Sequence, residues 1–455
     1  MQKKETRGQP MTLTSGSIKK QLVSFSIPIF LGTLLQQLYN VIDAVVAGRF
    51  VSEDALSAIG VSVPIYLLFV SVILGLAIGI TILLAQFFGA KQFGQIKSLI
   101  STMSIFLLVL GLVMAFGGAI LAKPLLQITQ TPVELLELAS VYLRMVFLGI
   151  PFSILYNLLG AVMRSFGETK MPLYALIVSS IINLVLNIIF VRNGGGVIGI
   201  AASTIIAQAI SGVYLLIQLR KKFPMAIPMK SEFAFNKELL MLSLKICTPI
   251  IIQQLAVFLG MLIVQGFINQ LGNVSIGGMT AASRIEAFIL LPVQALGNAL
   301  SIFAGQNIGA NEEERMKQGT RFGIMLAIVI TALLSIVLLL WGKTILGLII
   351  GNNEEMIVSG YSYFHICLWF YPINALIYGL GGVLSGVGDT LIAGIHSLAS
   401  ILVKLFVTVL LIGKLGLLSI AIASCLGWCV ASAIVIMRYK GNKWQSKAVV
   451  KTIQN

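Results

Sequence analysis

The stretch PIFLGTLLQQLYNVIDAVVAGR, Pro28 to Arg49, decides how the rest of the chain is read. It is apolar over the length of a membrane-spanning helix, for which about 20 residues suffice. Yet it carries Asp43. An ionised carboxylate at membrane depth costs about 2.5–3.5 kcal/mol on insertion scales, so an acid in such a place marks a functional site by default.

Composition extends the reading outward. Of 455 residues, 58% are hydrophobic and 10% charged, a balance foreign to soluble domains. Apolar stretches fall near 22–47, 56–87, 98–121, 136–162, 171–191, 197–219, 239–268, 276–304, 320–349, 357–384, 391–412 and 416–437. The expected fold class is therefore an all-α polytopic membrane protein with twelve transmembrane helices. The first 18 residues are polar, with no apolar core of a cleavable signal peptide.

The net charge of +15 excludes little by itself, but its distribution is informative. With an even number of spans both termini share one side. That side takes 22 of the 31 Lys and Arg, including Arg220, Lys221, Lys222, Lys230 and Lys237 of a mid-chain linker. The excess places both termini in the cytoplasm of a cell-membrane protein and removes the need for a nucleic-acid partner.

The chain also repeats itself at an offset of 220–221 residues. Pro28 maps to Pro249, Ser62 to Ser283, Pro151 to Pro372, Gly160 to Gly381 and Gly196 to Gly416. Gln86-x-x-Gly89-Ala90 maps to Gln306-x-x-Gly309-Ala310, and Gly167-Glu168-Thr169 to Gly388-Asp389-Thr390. Each half holds six spans, so the repeats are parallel about an axis along the membrane normal. The expected organisation is an N-terminal tail at 1–21, an N-lobe at 22–219, a linker at 220–238, a C-lobe at 239–437 and a tail at 438–455. The lobes are expected to face a central cleft and rock for alternating access, a monomer sufficing.

Among the acids only Asp43 and Glu286 lie well inside spans; they map onto Val264 and Ile65, so the duplication produced neither. Asp43 reads as a proton carrier or cation ligand, against the plainer reading of an acid paired within the bundle. Asn183 and Asn187, four apart on one helical face, join Asp43 and Thr204 in a candidate coupling-ion site for H⁺ or Na⁺. Interhelical hydrogen bonding is the competing account of these amides. Tyr39 and Asn40, one turn before Asp43, are weaker candidates for the substrate cleft, with Gln253, Gln254, Trp369 and Tyr371. Glu286, Arg284 and Lys404 form a possible second titratable site, Lys404 standing where the first half has Asn183; a structural Glu286–Lys404 ion pair is the alternative. His365 and His396 are expected to pack in the core; Cys247, Cys367, Cys425 and Cys429 all lie in apolar segments, and Cys425 and Cys429, four apart on one helical face, read as packing residues. No nucleotide-binding motif, metal cluster or catalytic triad stands out, so no cofactor, no metal and no enzyme are expected.

These residues resemble the multidrug and toxic compound extrusion (MATE) family, of the MOP flippase superfamily. The resemblance is carried by Asn40 to Arg49, by Gln86, Gly89 and Ala90, by Arg164, Gly167 and Thr169, by Ala282 to Glu286 and by Gln306 to Ala310, in that order and spacing. It implies export of drug-like, often cationic compounds in exchange for H⁺ or Na⁺. Members of the family often carry a second acid in span 5, where this chain has Asn187, and some carry acids in spans 7 and 10, where it has none. The runner-up is a lipid-linked oligosaccharide flippase of the same superfamily. Twelve spans and few basic residues within them favour the drug exporter.

Overall fold

The computed structural model describes residues 12–450, leaving aside the side chains of Tyr39, Asn40, Val41, Ala44 and Lys230. The described residues form helices α1 (Ile18–Phe50), α2 (Glu53–Gly89), α3 (Phe93–Ile128), α4 (Val133–Leu148), α5 (Ile150–Ser165), α6 (Lys170–Arg192) and α7 (Gly196–Lys222). A linker with two short 3-10 turns leads to α8 (Lys237–Asn269), α9 (Asn273–Gly309), α10 (Glu313–Ile350), α11 (Glu354–Cys367), α12 (Tyr371–Gly386), α13 (Thr390–Leu415) and α14 (Leu417–Lys440). Ten of these helices are long and apolar enough to cross a bilayer. The pairs α4–α5 and α11–α12 each make one further span, bent by 42° and 57°. The total of twelve agrees with the sequence, but the fourth and tenth spans are broken rather than continuous.

Proline explains where they break. Pro151 and Pro372 sit in the first turns of α5 and α12. There the missing N–H costs nothing, but the ring excludes the carbonyl four residues back from the ladder. After the second break the freed Leu368 carbonyl accepts the Ser335 hydroxyl of α10 at 3.0 Å. Pro28 and Pro249, by contrast, lie inside the unbroken α1 and α8.

The chain forms two compact units, one comprising Leu31–Lys245 and the other Leu13–Phe30 with residues from 246 onward. In the second unit, buried Leu13 is strapped down by its backbone. Its N–H donates to Gln306 Oε1 at 2.9 Å, and its carbonyl accepts from Arg315 Nε at 3.1 Å and Asn307 Nδ2 at 3.3 Å. Arg315 also donates to the Gly16 carbonyl at 2.8 Å and Gln21 Oε1 at 2.7 Å. In the first unit the linker is held alike. Ser101 Oγ donates to the Ala234 carbonyl at 2.9 Å, the Asn236 N–H donates to Thr102 Oγ1 at 3.1 Å, and Lys97 pairs with Glu232 at 2.9 Å. The Met229 N–H and Lys97 hold the Glu232 carboxyl below the usual range.

The repeated Gly-acid-Thr motif has a physical reason. Gly167 and Gly388 adopt φ of +83° and +95°, a region that side chains oppose. The acids that follow tie the turn to the end of the sixth span of each half. Glu168 meets Lys222 at 2.6 Å, half-exposed, and Asp389 meets Arg438 at 2.6 Å with its carboxylate buried. Removing one partner of a buried pair strands the other charge, whereas an exposed pair contributes little. Asp389→Ala is therefore expected to cost roughly 3 kcal/mol, and Glu168→Ala about 1 kcal/mol or less. Thermal melting of the two variants in detergent checks the contrast.

Small residues let helices touch in the second unit. Gly278 of α9 meets Gly360 of α11, where an added Cβ on Gly278 would lie 2.8 Å from the Gly360 nitrogen. Along α9 and α12, a Cβ on Gly382 would fall onto the Gly297 carbonyl oxygen, and one on Gly386 onto that of Ser301. Close backbone approach of this kind is how helices gain packing energy where lipid removes the hydrophobic drive.

Candidate functional site

In the first unit, α6 and α7 are joined by Gly194, Gly195 and Gly196, of which Gly194 and Gly196 take φ of +78° and +52°. The tight turn lays α7 back along α6, so Asn183 and Asn187 meet Ser203 and Thr204 beside α1. Both amides and Ser203 are fully buried, and Asp43 and Thr204 are half-buried. Asn187 Nδ2 donates to Asp43 Oδ1 at 2.6 Å and to Asn183 Oδ1 at 3.1 Å. Thr204 Oγ1 donates to Asp43 Oδ2 at 3.4 Å and accepts from Asn183 Nδ2 at 3.3 Å. Ser203 Oγ donates to Asn187 Oδ1 and lies within reach of the Gly199 carbonyl at 2.8 Å. Val46, Ala47, Ile59 and Ile200, with Ile42, Val51, Tyr142 and Val191 packed on them, form an apolar cluster beside Asp43.

This arrangement turns donors, not acceptors, toward the carboxylate. An ionised carboxylate is an acceptor only, so the network suits Asp43 in its charged form. The long Thr204 contact leaves Oδ2 the less committed oxygen. A hard cation is held by several oxygen ligands, and here Asn187 turns its nitrogen, not its oxygen, to Asp43. The structure thus brings Asp43, Asn183, Asn187 and Thr204 together, and adds Ser203.

The other candidates are more dispersed. Glu286, half-buried on α9, accepts the Tyr363 hydroxyl at 3.0 Å. Lys404 on α13 is within electrostatic reach of it but forms no ion pair at contact distance among the described residues, so the alternative of a structural ion pair is not met at contact distance. Arg284, two residues from Glu286, is exposed. Tyr371 is fully buried with its hydroxyl near Glu286, whereas Trp369 is 66% exposed. Gln253 and Gln254 are half-buried on α8, and the side chains of Tyr39 and Asn40 lie outside the described residues. His396 is buried, but His365 is not a core residue: it is exposed beside Lys343, Tyr361 and Ser362, because Tyr363, Phe364 and Cys367 take the inward face of α11.

Comparison with known proteins adds the following. The MatE family model matches residues 28–189 and again 249–410, two blocks that begin at Pro28 and at its repeat partner Pro249. The probable multidrug resistance protein YpnP of Bacillus subtilis is 31% identical over 440 residues, covering 95% of this chain and 97% of its own. YoeA of the same organism, also named a probable multidrug resistance protein, is 28% identical over 99% of this chain and all of its own. A crystal structure of a MATE protein in a bent conformation shares the fold with a TM-score of 0.89 at 20% identity, covering 96% of this chain and 98% of that one.

Proposed function

Since the chain belongs to the MatE family, we propose that it is a secondary active efflux antiporter, exporting lipophilic, often cationic drug-like compounds in exchange for H⁺. It works from the cell membrane as a monomer with both termini in the cytoplasm. Relatives named for multidrug resistance support the substrate class. One observation carries the choice of ion: Asn187 donates to Asp43 Oδ1 at 2.6 Å, while Oδ2 has only a 3.4 Å contact with a Thr204 hydroxyl that has the Ile200 carbonyl nearer at 3.1 Å. A proton needs only the one loosely held oxygen, Oδ2, whereas Na⁺ needs several oxygen ligands and Asn187 offers Asp43 its nitrogen.

Coupling follows if drug and proton stabilise different states of the carrier, since a ligand shifts an equilibrium only by its differential affinity. The test is ethidium movement in proteoliposomes under an imposed pH gradient or an imposed Na⁺ gradient. Transport against the ethidium gradient is expected with the first alone. Transport that follows only the Na⁺ gradient overturns the proton reading.

A further inference from the structure

The second unit holds a counterpart of the Asp43 site, with its chemistry changed residue by residue. At an offset of 221, Asn183 becomes Lys404, Asn187 becomes Thr408, Tyr142 becomes Tyr363 and Asp43 becomes Val264; beyond Gly196 and Gly416 the offset is 220, and Thr204 becomes Ser424. Val264, Tyr363 and Cys425 belong to one buried cluster with Ile285, Cys367 and Tyr371. Lys404 and Thr408 share the face of α13 that buries Ala393 and Ser397, and the Thr408 hydroxyl is buried without a partner. The carboxylate is supplied from elsewhere: Glu286 on α9 accepts the Tyr363 hydroxyl. A carboxyl is thus retained in the unit, and Lys404 stands within electrostatic reach of it where the first unit has a neutral amide.

We propose that Lys404 is a tethered cation: its ammonium balances Glu286 and keeps free ions and cationic substrates from that carboxylate, leaving Asp43 as the site that exchanges its counter-ion. The reasoning is electrostatic. A lone carboxylate among Tyr363, Tyr371 and Cys367 would draw a cation, because an uncompensated charge in a low-dielectric site is costly. A cation on the chain itself meets that need without entering or leaving. Lys404 is then a specificity determinant, and the second unit contributes no ion to the exchange. This rests on the antiporter reading, but it can be examined without transport.

Lys404→Ala vacates the ammonium and leaves Glu286 to recruit a substitute. Ethylammonium, a primary amine of the size of the removed side-chain end, is the probe. In detergent, ethylammonium is expected to raise the melting temperature of Lys404→Ala and to leave wild type and Glu286→Gln/Lys404→Ala unmoved. In proteoliposomes, ethidium transport by Lys404→Ala is expected to fall about 10-fold or more, as for a stranded buried charge, and to recover with ethylammonium. Lys404→Arg, which keeps the charge, is expected to transport normally. Wild-type activity and amine indifference in Lys404→Ala would overturn the proposal, as would an equal amine response in the double variant. Should Lys404→Ala fail to fold, the double variant is expected to fold and transport; its failure too would overturn the proposal. An amine-dependent melting shift without gradient-driven ethidium transport in wild type would instead count against the antiporter reading alone.

Discussion

Asp43→Asn is expected to abolish ethidium transport against its gradient, with a loss on the order of 100-fold, the upper range of coupling between two ligands. The variant is expected to melt within a few degrees of wild type, on the order of 1 kcal/mol. The two readouts separate because asparagine matches the shape of aspartate. Its oxygen can still accept from Asn187 Nδ2, the 2.6 Å bond that anchors α1 to α6. Its amide nitrogen, however, replaces Oδ2, where Thr204 donates, and it cannot take or release a proton. A neutral amide is also less costly than a carboxylate at membrane depth, so the substitution is expected to remove the proposed coupling group without loss of stability. Normal uphill transport by this variant would remove Asp43 from the mechanism.

Gly386→Val is expected to prevent accumulation of folded protein in the membrane, and Gly386→Ala to lower stability by about 1–3 kcal/mol or more, the cost of overpacking a filled interface. The obstacle is backbone, the Ser301 carbonyl of α9, which cannot rotate away as a side chain would. Gly382 faces Gly297 one turn earlier, so α12 must move off α9 as a whole to admit a methyl group. Gly413→Ala on α13 is the control: nothing lies within 4 Å of a Cβ there. Alanine favours a helix over glycine by about 1 kcal/mol, so this change is expected to be neutral or stabilising. Membrane yield and melting in detergent decide between them.

The features legible in the sequence were those with a periodic or categorical signal. Spans declare themselves by length and apolarity, and the duplication by prolines and glycines whose backbone roles leave no substitute. Gly167 and Gly388 were found as a motif and turn out to hold the same left-handed turn. Asp43 and the Asn183–Asn187 pair stood out because amides and acids are rare in such company. Ser203 gave no such signal. It sits in a run of small residues where a hydroxyl is unremarkable, and its role depends on an amide sixteen residues back across a turn. His365 was misplaced for a related reason. In a helix apolar nearly all round, periodicity does not tell which face turns inward, and three neighbours on α11 claim that face instead. The breaks at Pro151 and Pro372 were foreshadowed, but nothing in a proline marks it as a break rather than the tolerated interior residue that Pro28 and Pro249 are.

The strapping of Leu13 sets the order in which the molecule is completed during synthesis. Arg315, which holds Leu13, Gly16 and Gln21, lies 302 residues after Leu13. At roughly 5–20 residues per second, the ribosome delivers it about 15–60 s later. Through that interval the leading turns of α1, the least apolar of the ten long spans, wait in the nascent chain without their native partners. The leading turns of the first helix to be made are thus among the last parts to be packed.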